Sequence, residues 1–216
     1  MYKIYINDLP ITLIEAKSFP DLYPNTDALE FHYETNADLL AIISYAELYP
    51  MAREIVVWSD QLNTLKTDFF GNFKYIEAGG GVVFNSKNEI LLIKRHNVWD
   101  LPKGKLKINE PKAHGALREV EEETGVQNLE VIKPITLAGF QQTCTYHNYA
   151  SNLLRILKAT YWFTMKTDFD GTLIPQAEEG IQEAKWININ EVMPLLRNSY
   201  RTIQDVAATA IDEFYG

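Results

Sequence analysis

A single cysteine, Cys144, in 216 residues excludes an intramolecular disulfide and any zinc site built from several thiolates. Apolar runs are short, and none reaches the about 18 residues that a membrane-crossing helix requires. The opening "MYKIYINDLP" has no basic stretch followed by a long apolar core, so no secretory leader is expected there. Positive charge is scarce too: 20 Lys and Arg face 29 Asp and Glu, for a formal net charge of −9. A basic face is the usual footprint of nucleic-acid binding, so stable nucleic-acid binding is not expected. An acidic chain reaches phosphates more readily through a divalent cation. There is no internal repeat or low-complexity tract. The three glycines at 79–81 are not followed by the Lys-Ser or Lys-Thr pair of a phosphate-binding loop, so they read as a flexible entry to a strand. A reducing cytoplasm, no membrane and a single small-molecule partner are the simplest expectations.

What is present is ordinary for a globular chain: 46% hydrophobic and 23% charged residues. Residues 1–75 alternate β-like runs ("YKIYIN", "ITLIEA", "ALEFHYE", "EIVVW") with a helical pattern over 38–48 and a second helix capped by Ser59 or Asp60. They read as a small N-terminal α/β unit of unknown role, a candidate partner or oligomerisation module. Residues 76–216 form the second unit. It opens with two strands around "NSKNE" and passes through the loop-like "NVWDLPKGKLKINEP". A helix follows from about residue 110 to Thr124, stopped by Gly125. Strands are expected near 129–143, 156–167 and 183–189, and two helical pieces follow from about Glu191, with Pro194 in an early turn.

The helix carries the chemistry. "REVEEETG" puts four glutamates in eight residues, although like charges three or four apart repel. At about 100° per residue, Ala113, Ala116, Leu117, Val120 and Thr124 gather on one side and should pack on a sheet. Glu119, Glu122 and Glu123 gather on a neighbouring face, whereas Glu121 points elsewhere. Arg118 lies four residues before Glu122 and can lean toward the acids. Such a cluster suits a hard cation, which prefers oxygen ligands and shares them with water and phosphate.

The spacing extends back to Gly104. After it come Glu110 five residues on, Arg118-Glu119 seven further on, then Val120, Glu122-Glu123, Gly125 and Val126. This resembles the Nudix box, G-x5-E-x7-R-E-U-x-E-E-x-G-U with U aliphatic, at every defined position. Seven fixed residues at roughly 6% usage each make a chance match on the order of 10⁻⁹ per start position. The resemblance covers the box at 104–126 and, with its flanking strands, about 76–200.

The resemblance implies an α/β fold, a Nudix α/β/α sandwich beside the small N-terminal α/β unit. It implies a hydrolase that cleaves a pyrophosphate bond in a nucleoside diphosphate derivative, with Mg²⁺ or alternatively Mn²⁺. Glu119, Glu122 and Glu123 would be metal ligands and catalytic groups, joined by the backbone carbonyl of Lys103. Arg118 would orient them, and Gly104, Glu110 and Gly125 would shape the loop–helix–loop. A further ligand from a later loop could be Glu178, Glu179 or Glu183, of which Glu179 is preferred. Which carboxylate serves as base stays open. "WDLPKGK" is similar to the entry of members that act on dinucleoside polyphosphates, diphosphoinositol polyphosphates or oxidised nucleotides. Lys94, Arg95, Lys103 and Lys105 could meet the phosphates, and Trp99, Phe140, Tyr146 or Tyr149 a base. The alternative is a nucleotide-sensing Nudix-fold regulator that binds without turnover. Oligomeric state is open, with a homodimer admissible.

Overall fold

In the computed structural model the described residues are 1–24, 27–49, 53–137, 144–151 and 154–215. In chain order the elements are β1 (Tyr2–Ile6), β2 (Leu9–Glu15), α1 (Phe19–Leu22), β3 (Leu29–His32), α2 (Asn36–Leu48), β4 (Ile55–Ser59) and α3 (Leu62–Gly71). There follow β5 (Lys74–Phe84), β6 (Glu89–Arg95), β7 (Val98–Asp100), β8 (Lys103–Lys105), α4 (Lys112–Thr124) and β9 (Glu130–Pro134). The last are β10 (Cys144–Ser151), β11 (Leu154–Lys166), β12 (Ile181–Asn188), α5 (Ile189–Leu196) and α6 (Arg201–Tyr215). None of the described helices is long and apolar enough to cross a membrane.

The chain divides into two compact units, 1–76 with 139–159, and 77–138 with 160–216. In the first unit the strand order is β10–β1–β2–β4–β3. β1 runs antiparallel to β2 through the turn at Asn7 and Asp8, both in the left-handed region. β2, β4 and β3 are mutually parallel. The helices α2 and α3 bury Leu39, Ile42, Ile43, Ala46, Leu65 and Phe69. α2 starts at a capping box in which Thr35 and Asp38 satisfy each other's backbone N–H groups. α3 begins at Leu62 rather than directly after Ser59 or Asp60; the Ser59 hydroxyl instead accepts from the Gln61 N–H.

In the second unit the order is β12–β6–β5–β11, with β7 on β6, β8 on β5 and β9 on β11. α4 lays Ala116 and Val120 onto Val83, Leu91, Phe163 and Met165, with Ala113 and Leu117 beside them. The next residue along β5, Phe84, points to the other face by strand alternation. There it stacks on Phe214 of α6, ring centroids 3.9 Å apart. The sheet is therefore covered by α4 on one side and by α6 on the other: the α/β sandwich expected of the chain.

Two parts of this unit depart from the local sequence pattern. "VWDLPKGK" yields two three-residue strands, β7 and β8, that exist because β6 and β5 supply partners. Gly79–Gly81 are not a flexible entry; they lie buried inside β5. A Cβ on Gly79 would come within 2.8 Å of the Ala116 backbone, and one on Gly80 within 2.7 Å of the Pro102 carbonyl oxygen. The glycines let α4 and β8 press onto the strand. The stretch expected as a strand near 129–143 is β9 at its start; residues 138–143, and Phe140 with them, lie outside the described residues.

Candidate active site

The site begins with the register of β8. Its partners on β5 are Ala78↔Lys105, Gly79↔Gly104 and Gly80↔Lys103. The Gly81 N–H donates to the Pro102 carbonyl and the Leu106 N–H to the Glu77 carbonyl, so residues 102, 104 and 106 turn their backbone groups toward β5. Alternation then directs those of Lys103 and Lys105 outward, to α4. The outward Lys103 N–H donates to Glu123 Oε2 at 2.8 Å, and the Lys105 carbonyl accepts from Arg118 Nη2 at 3.2 Å. The Lys103 carbonyl shares this outward edge. Between them, Gly104 has no side chain because a Cβ would lie 1.6 Å from Glu119 Oε2. The carboxylate of Glu119 rests across the glycine.

Arg118 uses all five of its N–H donors. Nε and Nη2 grip Glu110 at 2.8 Å each, Nη1 reaches Glu119 at 2.6 Å and Glu122 at 2.8 Å, and Nη2 also takes the Lys105 carbonyl. Glu110 in addition accepts the Lys107 N–H at 2.9 Å. The Arg118 bonds, followed by that backbone bond, hold the Glu110 carboxyl down at about 2. Glu110 therefore acts as a brace between the loop and the helix. Arg118 in turn is made more basic, Glu110 first among the causes.

The three clustered acids have different surroundings. Glu122 is the most open. Glu119 is raised above its ordinary value because burial outweighs the Arg118 bonds. Glu123 is only 2% exposed, and burial pushes its carboxyl up to about 7, with the Lys103 side chain the largest offset. Helical spacing alone does not reveal that Glu123 is buried, since its partner is a backbone N–H twenty residues away. Glu121 is exposed, as is His114.

α4 ends at Gly125, whose φ of +71° is the left-handed conformation glycine adopts without strain. Its terminal carbonyls are met by the Ile174 N–H on Thr124 (2.8 Å) and the Gln176 N–H on Glu123 (3.1 Å). This strap leads into the short turn Ala177–Glu179. Glu179 pairs with Arg95 at 3.4 Å, and Arg95 is close enough to Glu123 to stabilise its charge. Glu183 pairs with Lys94 at 3.1 Å. Leu91 packs against α4, so alternation along β6 sends Arg95 to the α4 face and Lys94 to the opposite one. Lys103 Nζ holds Asp100 at 2.5 Å, and Lys105 is exposed.

Asp100 was not singled out by the sequence. It is buried, bonds the Leu101 N–H at 2.7 Å and raises Glu123 electrostatically. An acid three residues before a lysine inside "WDLPKG" is the one signal it left. Glu77 was missed as well: it binds Lys112 at the start of α4 and accepts from the Tyr161 hydroxyl at 2.9 Å. Of the proposed base-stacking residues, Trp99 lies 5.7 Å from Lys94 Nζ, Tyr146 is buried in the first unit, and Tyr149 belongs to that unit too.

The donor set suits a hard divalent cation. It consists of oxygens alone, three carboxylates and the outward edge of β8, with Gly104 hollowed for Glu119. Among the described residues no three acids or imidazoles already stand at metal-binding spacing. Glu119 and Glu122 are held by Arg118 and Glu123 by the Lys103 N–H, so binding would exchange those hydrogen bonds for the ion.

The family model of the NUDIX domain matches residues 74–206. The chain belongs to the Nudix family. The Nudix chain is 29% identical over 133 residues to the RNA pyrophosphohydrolase of Pelagibacter ubique, covering 54% of this chain and 78% of that protein. A putative 8-oxo-dGTP diphosphatase of Bacillus subtilis is 42% identical over 53 residues, 24% of this chain and 36% of that one. Among solved structures, a C. elegans Ap4A hydrolase in a binary complex aligns with 65% of this chain and 97% of its own. Its sequence identity is 17% and its TM-score 0.48. The Nudix chain is a pyrophosphohydrolase of that family, whose hydrolases generally use divalent metal ions.

Proposed function

We propose that this Nudix enzyme hydrolyses a pyrophosphate bond in a polyphosphorylated nucleotide derivative, with Mg²⁺, or Mn²⁺ in its place. The substrate classes are dinucleoside polyphosphates and oxidised nucleotides, with diphosphoinositol polyphosphates as the non-nucleotide class that carries the same bond. The observation that carries this reading is the outward edge of β8 facing the acids of α4, with Gly104 left open beneath Glu119. Glu119, Glu122, Glu123 and the Lys103 carbonyl would hold the cation. When bound, it withdraws charge from phosphate oxygens and lowers the pKa of a water. The attacking water forms a new P–O bond, the bridging P–O bond breaks, and the water's proton passes to a carboxylate. Arg118 fixes Glu119 and Glu122, limiting the geometries in which they can act. Besides Arg118, which the acids already hold, Lys103 and Arg95 carry cationic groups close to Glu123. Each is paired with a carboxylate, Asp100 or Glu179, that a phosphate oxygen would replace.

The test is a substrate panel with Mg²⁺ and with Mn²⁺. It spans dinucleoside polyphosphates, diphosphoinositol polyphosphates, oxidised nucleoside triphosphates, nucleotide sugars and RNA carrying a pyrophosphate bond, the last because of the relative in Pelagibacter ubique. At least one should yield phosphate-bearing products. Glu122→Gln combined with Glu123→Gln should abolish turnover, and full activity in that double variant would remove the metal-site assignment. Binding across the panel with no turnover would select the sensing regulator instead.

A further inference from the structure

We propose that the edge of β3, with the adjoining face of α2, is a docking site for an extended basic segment of a partner protein. β3 is the last strand of its sheet order and pairs only with β4 among the described residues. The Leu29 and Tyr33 N–H groups donate to the carbonyls of Glu54, just before β4, and of Trp58 on β4. In a parallel ladder the alternate residues turn their backbone groups the other way, which leaves Glu30 and His32 presenting N–H and C=O on the open edge. Such an edge is a template for an added strand. Nothing in "LEFH" blocks it: the strand has neither proline nor lysine.

The side chains beside that edge are apolar where solvent would favour polar ones. α2 buries Leu39, Ile42, Ile43 and Ala46 on one side, yet its other side exposes Leu40, Ala41 and Tyr45. Ser44 and Glu47 on that outer side are taken up by Arg155, and the apolar residues beside them are more than a solvated helix face normally carries. Phe31 and Tyr45, 37% and 39% exposed, stand with Ala41, Ile42, His32 and Asp38 around a cavity of about 330 Å³. The cavity is large enough to take an alternate apolar side chain of an added strand.

Charge decides the occupant. From Leu29 to Leu48 there is no lysine or arginine, while Glu30 lies on β3, Glu34 pairs with His32 just after it and Asp38 lines the cavity. His32 lies 3.5 Å from Glu34, and Arg53, at the start of the β3–β4 ladder, is taken up by Asp27 at 2.6 Å. Two copies meeting edge to edge would bring these acids together, so a second copy is disfavoured and a lysine- or arginine-bearing strand is favoured. The site lies before the residues matched by the Nudix family model and gives the N-terminal unit a recruiting role.

The probe is a fluorescein-labelled peptide alternating lysine with valine about a central leucine, titrated with the full chain and read by anisotropy. Two controls carry glutamate for lysine or a central proline. The basic peptide should bind, and both controls should bind more than about tenfold more weakly. Phe31→Glu should weaken binding by more than about tenfold. His32→Pro removes an outward N–H that no ladder bond uses and should do the same, whereas His32→Val keeps that N–H and should bind like the wild type. Circular dichroism checks each variant's fold, and Phe31→Glu decides if the proline variant misfolds. No binding of the basic peptide, equal binding of the acidic one, or indifference to Phe31→Glu would overturn the proposal. So would a self-associated chain that Phe31→Glu makes monomeric in sedimentation, since the occupant would then be a second copy.

Discussion

Glu110 shows how a box residue works without touching the chemistry. Its carboxylate accepts two Arg118 bonds and the Lys107 N–H, which is why it is held at about 2 against an ordinary value of 4.5. A carboxyl depressed in the folded state contributes stability that is present above the unfolded value and lost as pH falls through the folded one. Urea unfolding midpoints should therefore fall as pH drops from about 4.5 to about 2. Glu110→Gln should flatten that part of the profile while lowering stability near neutrality. An unchanged slope in the variant would show that other acids govern the window. The sequence named Glu110 as a loop support through its spacing. It left Asp100 and Glu77 unmarked, because their partners (Lys103, and Lys112 with Tyr161) are fixed by the fold rather than by a repeat distance.

At the scale of elements, α4 was the most legible part of the chain. Its apolar period predicts the side that meets the sheet, and Ala116, Val120 and Thr124 are indeed buried there. β7, β8 and β10 were not legible: two are three residues long, and β10 is held by the distant β1 in a parallel ladder. Such strands have no local signature beyond the partners that complete them. The same blindness applied to Gly79–Gly81, whose reason is the closeness of α4 and β8. Gly104 tests that closeness where it matters. A methyl group there would meet Glu119 Oε2 at 1.6 Å, so the helix must back off from β8 or Glu119 must leave its place. Gly104→Ala should lower turnover by about 100-fold, the scale of an ångström's misplacement. Overpacking should cost about 1–3 kcal/mol in unfolding free energy. Steady-state kinetics and denaturant titration read the two effects separately. Wild-type turnover with lowered stability would mean that the Glu119 position is not needed for catalysis.

At the scale of the whole molecule, residues 139–159 group with the first unit although the chain reaches them from the second. β10 pairs with β1 through Ile4↔Tyr146, Tyr5↔His147 and Ile6↔Asn148. Tyr146 packs edge-on against Phe70, centroids 4.8 Å apart, and Arg155 binds both oxygens of Glu47 and the Ser44 hydroxyl. Cutting the chain to residues 77–216 keeps the box but deprives β10 and Arg155 of all these partners. Cys144, Tyr146 and Asn148, buried in the full chain, would face water beside an unpaired strand edge. The shortened chain should therefore aggregate or bind a hydrophobic dye and unfold without a sharp transition, even though every acid of the proposed metal site is retained. Supplying residues 1–76 as a separate polypeptide during refolding should recover a soluble complex, because the β1–β10 ladder can form between two chains as well as within one. A shortened chain that stays monomeric and unfolds cooperatively, with undiminished hydrolysis, would show that the first unit is an appendage rather than half of the fold's support.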